Sequence, residues 1–151
     1  MPVYETTRIV PFPLEQVSSF FAEPRNLEHL TPGWIRMRLI DPPASVGEGS
    51  RLRYRTAPFG FPVIWDAEIT VWDPPNRFAD LQVRGPYRSW EHTHTFSETE
   101  GGTAIHDRIS YRLYGGPLGS VADRLGHRAI LRQLFSFRTK RLVEILGAET
   151  R

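Results

Sequence analysis

The stretch from Gly116 to Gly147 constrains the fold most, because it alone is long and apolar enough for a helix of well over three turns. Around a helical wheel, Ile130, Leu131, Leu134, Phe135, Phe137, Leu142, Ile145 and Leu146 share one broad side, and Arg132, Gln133, Ser136, Thr139, Lys140 and Glu144 hold the other. The helix must therefore bury one flank against a partner. Upstream, Leu118, Val121, Ala122, Leu125 and Ala129 form a stripe of their own, about half a turn out of phase. This predicts a short lead-in helix, a kink near Gly126, then the main helix. Arg138 falls inside the main apolar side, where stripping water from a guanidinium is costly unless an acceptor meets it. A carboxylate or a ligand is expected beside it.

The partner surface comes from the middle of the chain, where apolar and polar residues alternate for about eighty residues after Trp34. Ile35, Met37 and Leu39 alternate with arginines, as do Leu52 and Tyr54. Trp65, Ala67, Ile69 and Val71 point one way and Asp66, Glu68 and Thr70 the other. Further strands are expected over 78–83, 89–98 and 103–113, separated by Asp73-Pro-Pro-Asn, Gly85-Pro-Tyr and Glu100-Gly-Gly. A first strand spans 3–10. Pro13 then opens a helix carrying Leu14, Val17, Phe20 and Phe21 on one face, and Asn26 to Leu30 forms a second short helical turn.

The order predicts an α+β fold: a curved antiparallel sheet of about seven strands wrapped around a long C-terminal helix, with two short helices after strand 1. No linker, repeat or low-complexity tract divides the 151 residues, so one domain over 1–151 is expected. One helix does not fill the concave side of such a sheet, and a cavity between them is predicted.

Period two assigns the walls of that cavity. Trp90, His92, His94 and Phe96 share one face of their strand, and Ile105, Asp107, Ile109 and Tyr111 share one face of the next. Hairpin pairing about Glu100-Gly-Gly brings His92 or His94 near Asp107. The candidate ligand-binding set is thus Tyr54, Trp65, Trp90, His92, His94, Asp107, Tyr111 and Arg138. A few convergent polar groups in an apolar wall suit an amphipathic ligand. The same set also reads as a satisfied polar core and, less favoured, as a His–Asp pair for acid–base chemistry.

Other chemistries are excluded or disfavoured. The chain has no cysteine, so it has neither a disulfide, a thiolate metal site nor a cysteine nucleophile. His92-Thr-His94 with Glu98 mimics a metal-ligand spacing, but Glu98 abuts a turn and no second motif follows, so no metal or other cofactor is expected. Gly115-Gly-Pro-Leu-Gly lacks the Lys-Ser/Thr of a phosphate loop, and no Gly-x-Ser-x-Gly elbow occurs. The row Arg51, Arg53, Arg55 with Arg36 and Arg38 reads as a solvated outer face that blunts edge pairing, not as a nucleic-acid surface, since Tyr54 faces the other way. With no signal-like N-terminus and no apolar run of membrane-spanning length, a cytoplasmic protein without stable membrane insertion is expected. Nothing in the sequence sets an oligomeric state.

The whole chain, over nearly residues 2–147, resembles the START-like (SRPBCC) helix-grip superfamily, in particular its bacterial polyketide cyclase/dehydrase-like branch. The resemblance rests on the opening strand followed by Pro13-Leu-Glu-Gln-Val-Ser-Ser-Phe-Phe-Ala and Asn26-Leu, on Val46-Gly-Glu-Gly, and on Gly85-Pro-Tyr-Arg-Ser-Trp-Glu-His-Thr-His-Thr-Phe with Gly101-Gly-Thr and Asp107-Arg. The last stretch is most similar to members sometimes fused to an epimerase-like domain. The resemblance implies a pocket between sheet and helix for a lipid-, steroid- or polyketide-like molecule. It does not imply one reaction, because the superfamily includes binders, transfer proteins and cyclases; its Rieske-type members are excluded by the absent cysteines.

Overall fold

The computed structural model describes residues 2–149. Seven antiparallel strands form one sheet in the order β1-β7-β6-β5-β4-β3-β2. These are β1 (Val3–Val10), β2 (Arg38–Ile40), β3 (Arg51–Thr56), β4 (Val63–Asp73), β5 (Arg77–Arg84), β6 (Ser89–Thr99) and β7 (Gly102–Arg112). Strands β2 to β7 follow one another as a meander, and β1 returns to the free side of β7. Helix α1 (Leu14–Ala22) and a 3-10 turn (Pro24–Glu28) lie between β1 and β2; α2 (Pro117–Ala122), a π-helical turn (Asp123–His127) and α3 (Arg128–Glu149) follow β7. The helix-grip architecture expected from the sequence is present.

Helix α3 holds the sheet by its two buried ends. Leu142 and Leu146 pack with Val10, Phe12, Phe20, Phe96 and Ile105. Leu131 and Phe135 pack with Tyr4, Trp90, Ile109 and Tyr111. Each leucine buried this way stabilises the fold by roughly 2 kcal/mol. Both clusters lie on the β1-β7-β6 side. The β3-β4 side is closed differently, by Leu27, Met37 and Val46 against Leu39, Leu52, Tyr54 and Ile69.

The turn joining β6 to β7 shows why a glycine stands at 102. With φ at +144°, a Cβ there would come within 2.0 Å of the Val10 carbonyl oxygen. Its absence lets the end of β1 cross the hairpin, where Thr103 Oγ1 donates to the Phe12 carbonyl at 2.7 Å and carries the chain toward α1.

Four expectations are corrected. The stripe upstream of Gly126 faces solvent: Leu118 is 80% exposed and Leu125 82%. The reason is the π-helical turn, whose wider winding rotates Asp123 inward, to 5% exposure, and leaves the leucines outside. Ile130, at 41% exposure, also stands outside the buried flank. In β4, irregular pairing between Ile69 and Val71 reverses the alternation, so Trp72, not Val71, joins the inner cluster. The arginine row of β2 and β3 lies as expected, with Arg53 bridging to Asp66 at 2.7 Å and Arg51 to Glu68 at 3.4 Å, whereas Arg36 caps the short turn Gly33–Ile35 ahead of β2 and is not on the sheet.

Candidate functional site

The hairpin register places His94 opposite Asp107 and His92 opposite Ile109, while the neighbouring strand sets Asp80 opposite His92. Alternation turns the side chains of Asp80, His92, His94 and Asp107 to the inner face of the sheet. His92 Nε2 donates to Asp107 Oδ1 at 2.8 Å. His94 reaches both carboxylates, with Nε2 at 3.3 Å from Asp80 Oδ2 and Nδ1 at 3.0 Å from Asp107 Oδ1. The second contact is out of line, so it is electrostatic and leaves Nδ1 without a hydrogen bond. The two imidazoles lie 3.7 Å apart, and Phe78 stacks on His94 at 4.1 Å.

These contacts divide the protonation states. Burial disfavours charge on both histidines. For His92 that effect prevails, reinforced by the neighbouring His94, and its pKa is lowered. For His94 the carboxylates of Asp107 and Asp80 overcome it, and its pKa is raised. Burial would raise the Asp107 carboxyl, but the imidazoles override it and hold it well below the usual carboxylate range. The cluster thus favours the charged form of His94, which lies between two carboxylates, over that of His92.

Arg138 completes the site from α3. Its guanidinium lies 5.3 Å above the Phe135 ring, and its Nε is closed off from solvent with no hydrogen-bond partner. Desolvation lowers its pKa, while the charges of Asp107 and Asp80 favour the cation. The acceptor expected beside Arg138 is therefore present only as a field, not as a bonded carboxylate.

His94, Asp107 and Arg138 open onto one cavity beneath α3, together with Arg8 from β1 and the apolar side chains of Phe21, Ile105, Phe135 and Leu142. Its volume is about 20 Å³, enough for roughly one water. The ligand-sized space predicted from the sequence is thus mostly filled. Aromatic side chains occupy it: Trp65, Tyr87 and Trp90 crowd together, as do Phe21, Phe78 and Phe96. Of the eight predicted residues, His94, Asp107 and Arg138 line the cavity, and His92 stands behind Asp107. Tyr54 turns its hydroxyl to the Pro24 carbonyl at 3.4 Å. Trp65 and Trp90 belong to the aromatic cluster, and the Tyr111 hydroxyl donates to Asp123 instead.

Sequence reasoning missed Asp80, Arg8 and the surroundings of Asp123. Asp80 was hidden because Leu81 and Val83 look like the buried set of β5, yet they are 36% and 48% exposed. Arg8 shares parity with Tyr4 and Val10, a signal that would have found it. Around Asp123, His127 Nδ1 lies at 3.0 Å, Arg128 Nε donates at 3.2 Å, and the Tyr87 hydroxyl meets His127 Nε2 at 2.7 Å. This network ties the π-helical turn to β7 and to the turn before β6. A polar cleft of about 320 Å³ borders Asp123, with Arg88 and Arg112 on its walls.

Among the described residues, Asp80, His92 and His94 offer metal-ligand atoms within 4.8 Å of one another. The carboxylate that joins the His-x-His pair is thus Asp80 from the adjacent strand, whereas Glu98 is exposed at the strand end. A cation there would have to displace the imidazole protons that now face Asp80 and Asp107.

A sheet gripping one long helix over a small cavity with buried ionisable groups defines a helix-grip protein of the ligand-pocket kind. The chain belongs to the family described as polyketide cyclase / dehydrase and lipid transport, whose model matches residues 10–138. Solved structures agree on the fold. Protein Ms6760 from Mycobacterium smegmatis is 20% identical, with a TM-score of 0.72 over 97% of this chain and 92% of that one. CV1439 from Chromobacterium violaceum is 16% identical, with a TM-score of 0.73 over 96% and 97%. TTHA0849 from Thermus thermophilus is 22% identical, with a TM-score of 0.70 over 95% and 99%. No curated sequence matches the chain. Among the described residues, no helix is long and apolar enough to cross a membrane.

Proposed function

We propose that this protein binds a small amphipathic molecule, lipid-, steroid- or polyketide-like, between the sheet and α3. The apolar part lies against Phe21, Ile105, Phe135 and Leu142, and the polar end meets His94, Asp107 and Arg138. One observation carries the reading: a guanidinium on the buried flank of α3 faces a cavity with no bonded acceptor, an arrangement that costs stability and is retained where a ligand completes it. Family membership supports it. Because the cavity takes only about one water as it stands, binding requires α3 to move outward or the aromatic side chains to turn.

Acid–base catalysis is the second reading, favoured by the His94–Asp107 contact on the cavity wall. The two carboxylates favour the charged form of His94, which suits a proton donor better than the proton-abstracting base of a cyclase, and His92, whose pKa is lowered, stands away from the cavity. This arrangement suits polarising a bound carbonyl better than deprotonating its neighbour.

Native mass spectrometry of the freshly purified protein, with thermal melts against a panel of lipids, sterols and aromatic polyketide analogues, tests the binding reading. A co-purified small mass, or a Tm rise with one ligand class and slowed hydrogen exchange in α3, is the expected result. A bare protein whose Tm no panel member moves would overturn it.

A further inference from the structure

We propose that the ligand's polar end is an anion, a carboxylate, received by Arg8 and Arg138 beside His94. The inference rests on the binding reading above and names the class of ligand within it. Four buried side-chain nitrogen or oxygen atoms among the described residues have no hydrogen-bond partner, and three of them, Arg8 Nε, His94 Nδ1 and Arg138 Nε, belong to residues that line the same cavity. His94 Nδ1 already has the Asp107 carboxylate at 3.0 Å, whereas the two guanidinium Nε–H groups have no acceptor beside them. Orphaned buried donors are rare in folded proteins, and two around one space specify an acceptor.

The chemistry selects the acceptor. A neutral hydroxyl offers two lone pairs and carries a proton that itself needs an acceptor, whereas a carboxylate offers about four lone pairs and no proton. Charge points the same way. The guanidinium groups of Arg8 and Arg138 line the cavity with no carboxylate bonded to either, so an anionic ligand supplies the missing counter-charge. Asp107 also borders the cavity, but its Oδ1 is covered by His92 and His94. The anion therefore meets the cationic side of the cluster first.

The route in follows from Arg8. It stands on β1, the edge strand of the sheet, and its Nη2 donates to Ser136 Oγ of α3 at 3.1 Å across an exposed boundary. Releasing that one hydrogen bond frees the rest of the Arg8 fork for the ligand, while β1 stays packed on α3 through Tyr4 and Val10. The carboxylate then lies between Arg8 and Arg138, with the apolar body toward Phe21 and Leu142.

Calorimetric titration of the full chain at pH 7.5 with two matched pairs, decanoate against 1-decanol and 2-naphthoate against 2-naphthol, tests the inference. The acid of at least one pair should bind about tenfold or more tightly than its alcohol, the difference expected for hydrogen bonds to a charged partner. Arg138→Gln and Arg8→Gln should each cost the acid about tenfold and leave the alcohol within about twofold. Arg8 is partly exposed, so its variant decides the matter should the Arg138 variant fold poorly. Alcohols binding as tightly as acids, or variants weakening both alike, would overturn the anion site and leave the binding reading standing. No binding by any of the four would also overturn the anion site, and the lipid panel then judges the pocket separately.

Discussion

Replacing Asp107 by Asn removes one charge from the polar cluster while keeping its shape and an acceptor oxygen. In the native protein Asp107 Oδ1 accepts from His92 Nε2 at 2.8 Å and lies 3.0 Å from His94 Nδ1, all three groups buried. A hydrogen bond to a charged group contributes about 1.5–3 kcal/mol and a neutral one about 1 kcal/mol, so the His92 bond should lose about 1 kcal/mol. The His94 imidazolium keeps only Asp80, at 3.3 Å, and should lose about 1–2 kcal/mol more. The total is about 2–3 kcal/mol, or roughly 4–12 °C in Tm for a chain of this size. The pH dependence follows from the directions of the shifts. The Asp107 pKa is depressed in the fold, so its contribution is present above about pH 4 and is lost as pH falls through its folded value. The His94 pKa is raised, so its contribution is full below about pH 6.5 and is lost as pH rises through its folded value. The His92 pKa is lowered, which costs stability below about pH 6.5, and losing Asp107 deepens that cost. Urea unfolding followed by tryptophan fluorescence at pH 5.5 and 8.5 should therefore show the larger deficit at pH 5.5. A deficit under about 0.5 kcal/mol at both values, within the range of an ordinary surface change, or a larger one at pH 8.5, would refute the charge assignment.

Leu142→Ala should destabilise the fold by about 3–5 kcal/mol, because Leu142 is 1% exposed and joins α3 to α1, β1 and β7; equilibrium unfolding checks it. Tyr87→Phe should cost about 1 kcal/mol by removing the bond to His127, and hydrogen exchange should rise in the π-helical turn more than in α1. Leu118→Gln with Leu125→Gln should change stability by less than about 0.5 kcal/mol while raising the solubility limit in ammonium sulfate, since both side chains stand in solvent.

Much of the site was legible because a strand's alternation survives almost any tertiary setting. His92, His94 and Asp107 could be set on the inner face from Trp90, Phe96, Ile105 and Ile109 alone, and the Glu100-Gly-Gly turn brought them together. Helical periodicity likewise set Arg138 on the buried flank of α3. Asp80 was obscured because Leu81 and Val83 imitate an inward row, and Arg8 because a charged residue at an inward position looks like an exception until its neighbours are known. Trp72 required knowledge of the bulge in β4, where one extra residue reverses every side after it.

By itself the chain's pattern determined the order of elements, the strand faces and the long closing helix, because those depend on periodicities of two and 3.6 residues that local sterics impose. Only the tertiary structure decided how much room stayed under the helix and which polar groups met there. Cavity volume is the small remainder after aromatic side chains from strands far apart in sequence have packed, and a missing hydrogen bond at Arg8, His94 or Arg138 is a property of several chain segments at once.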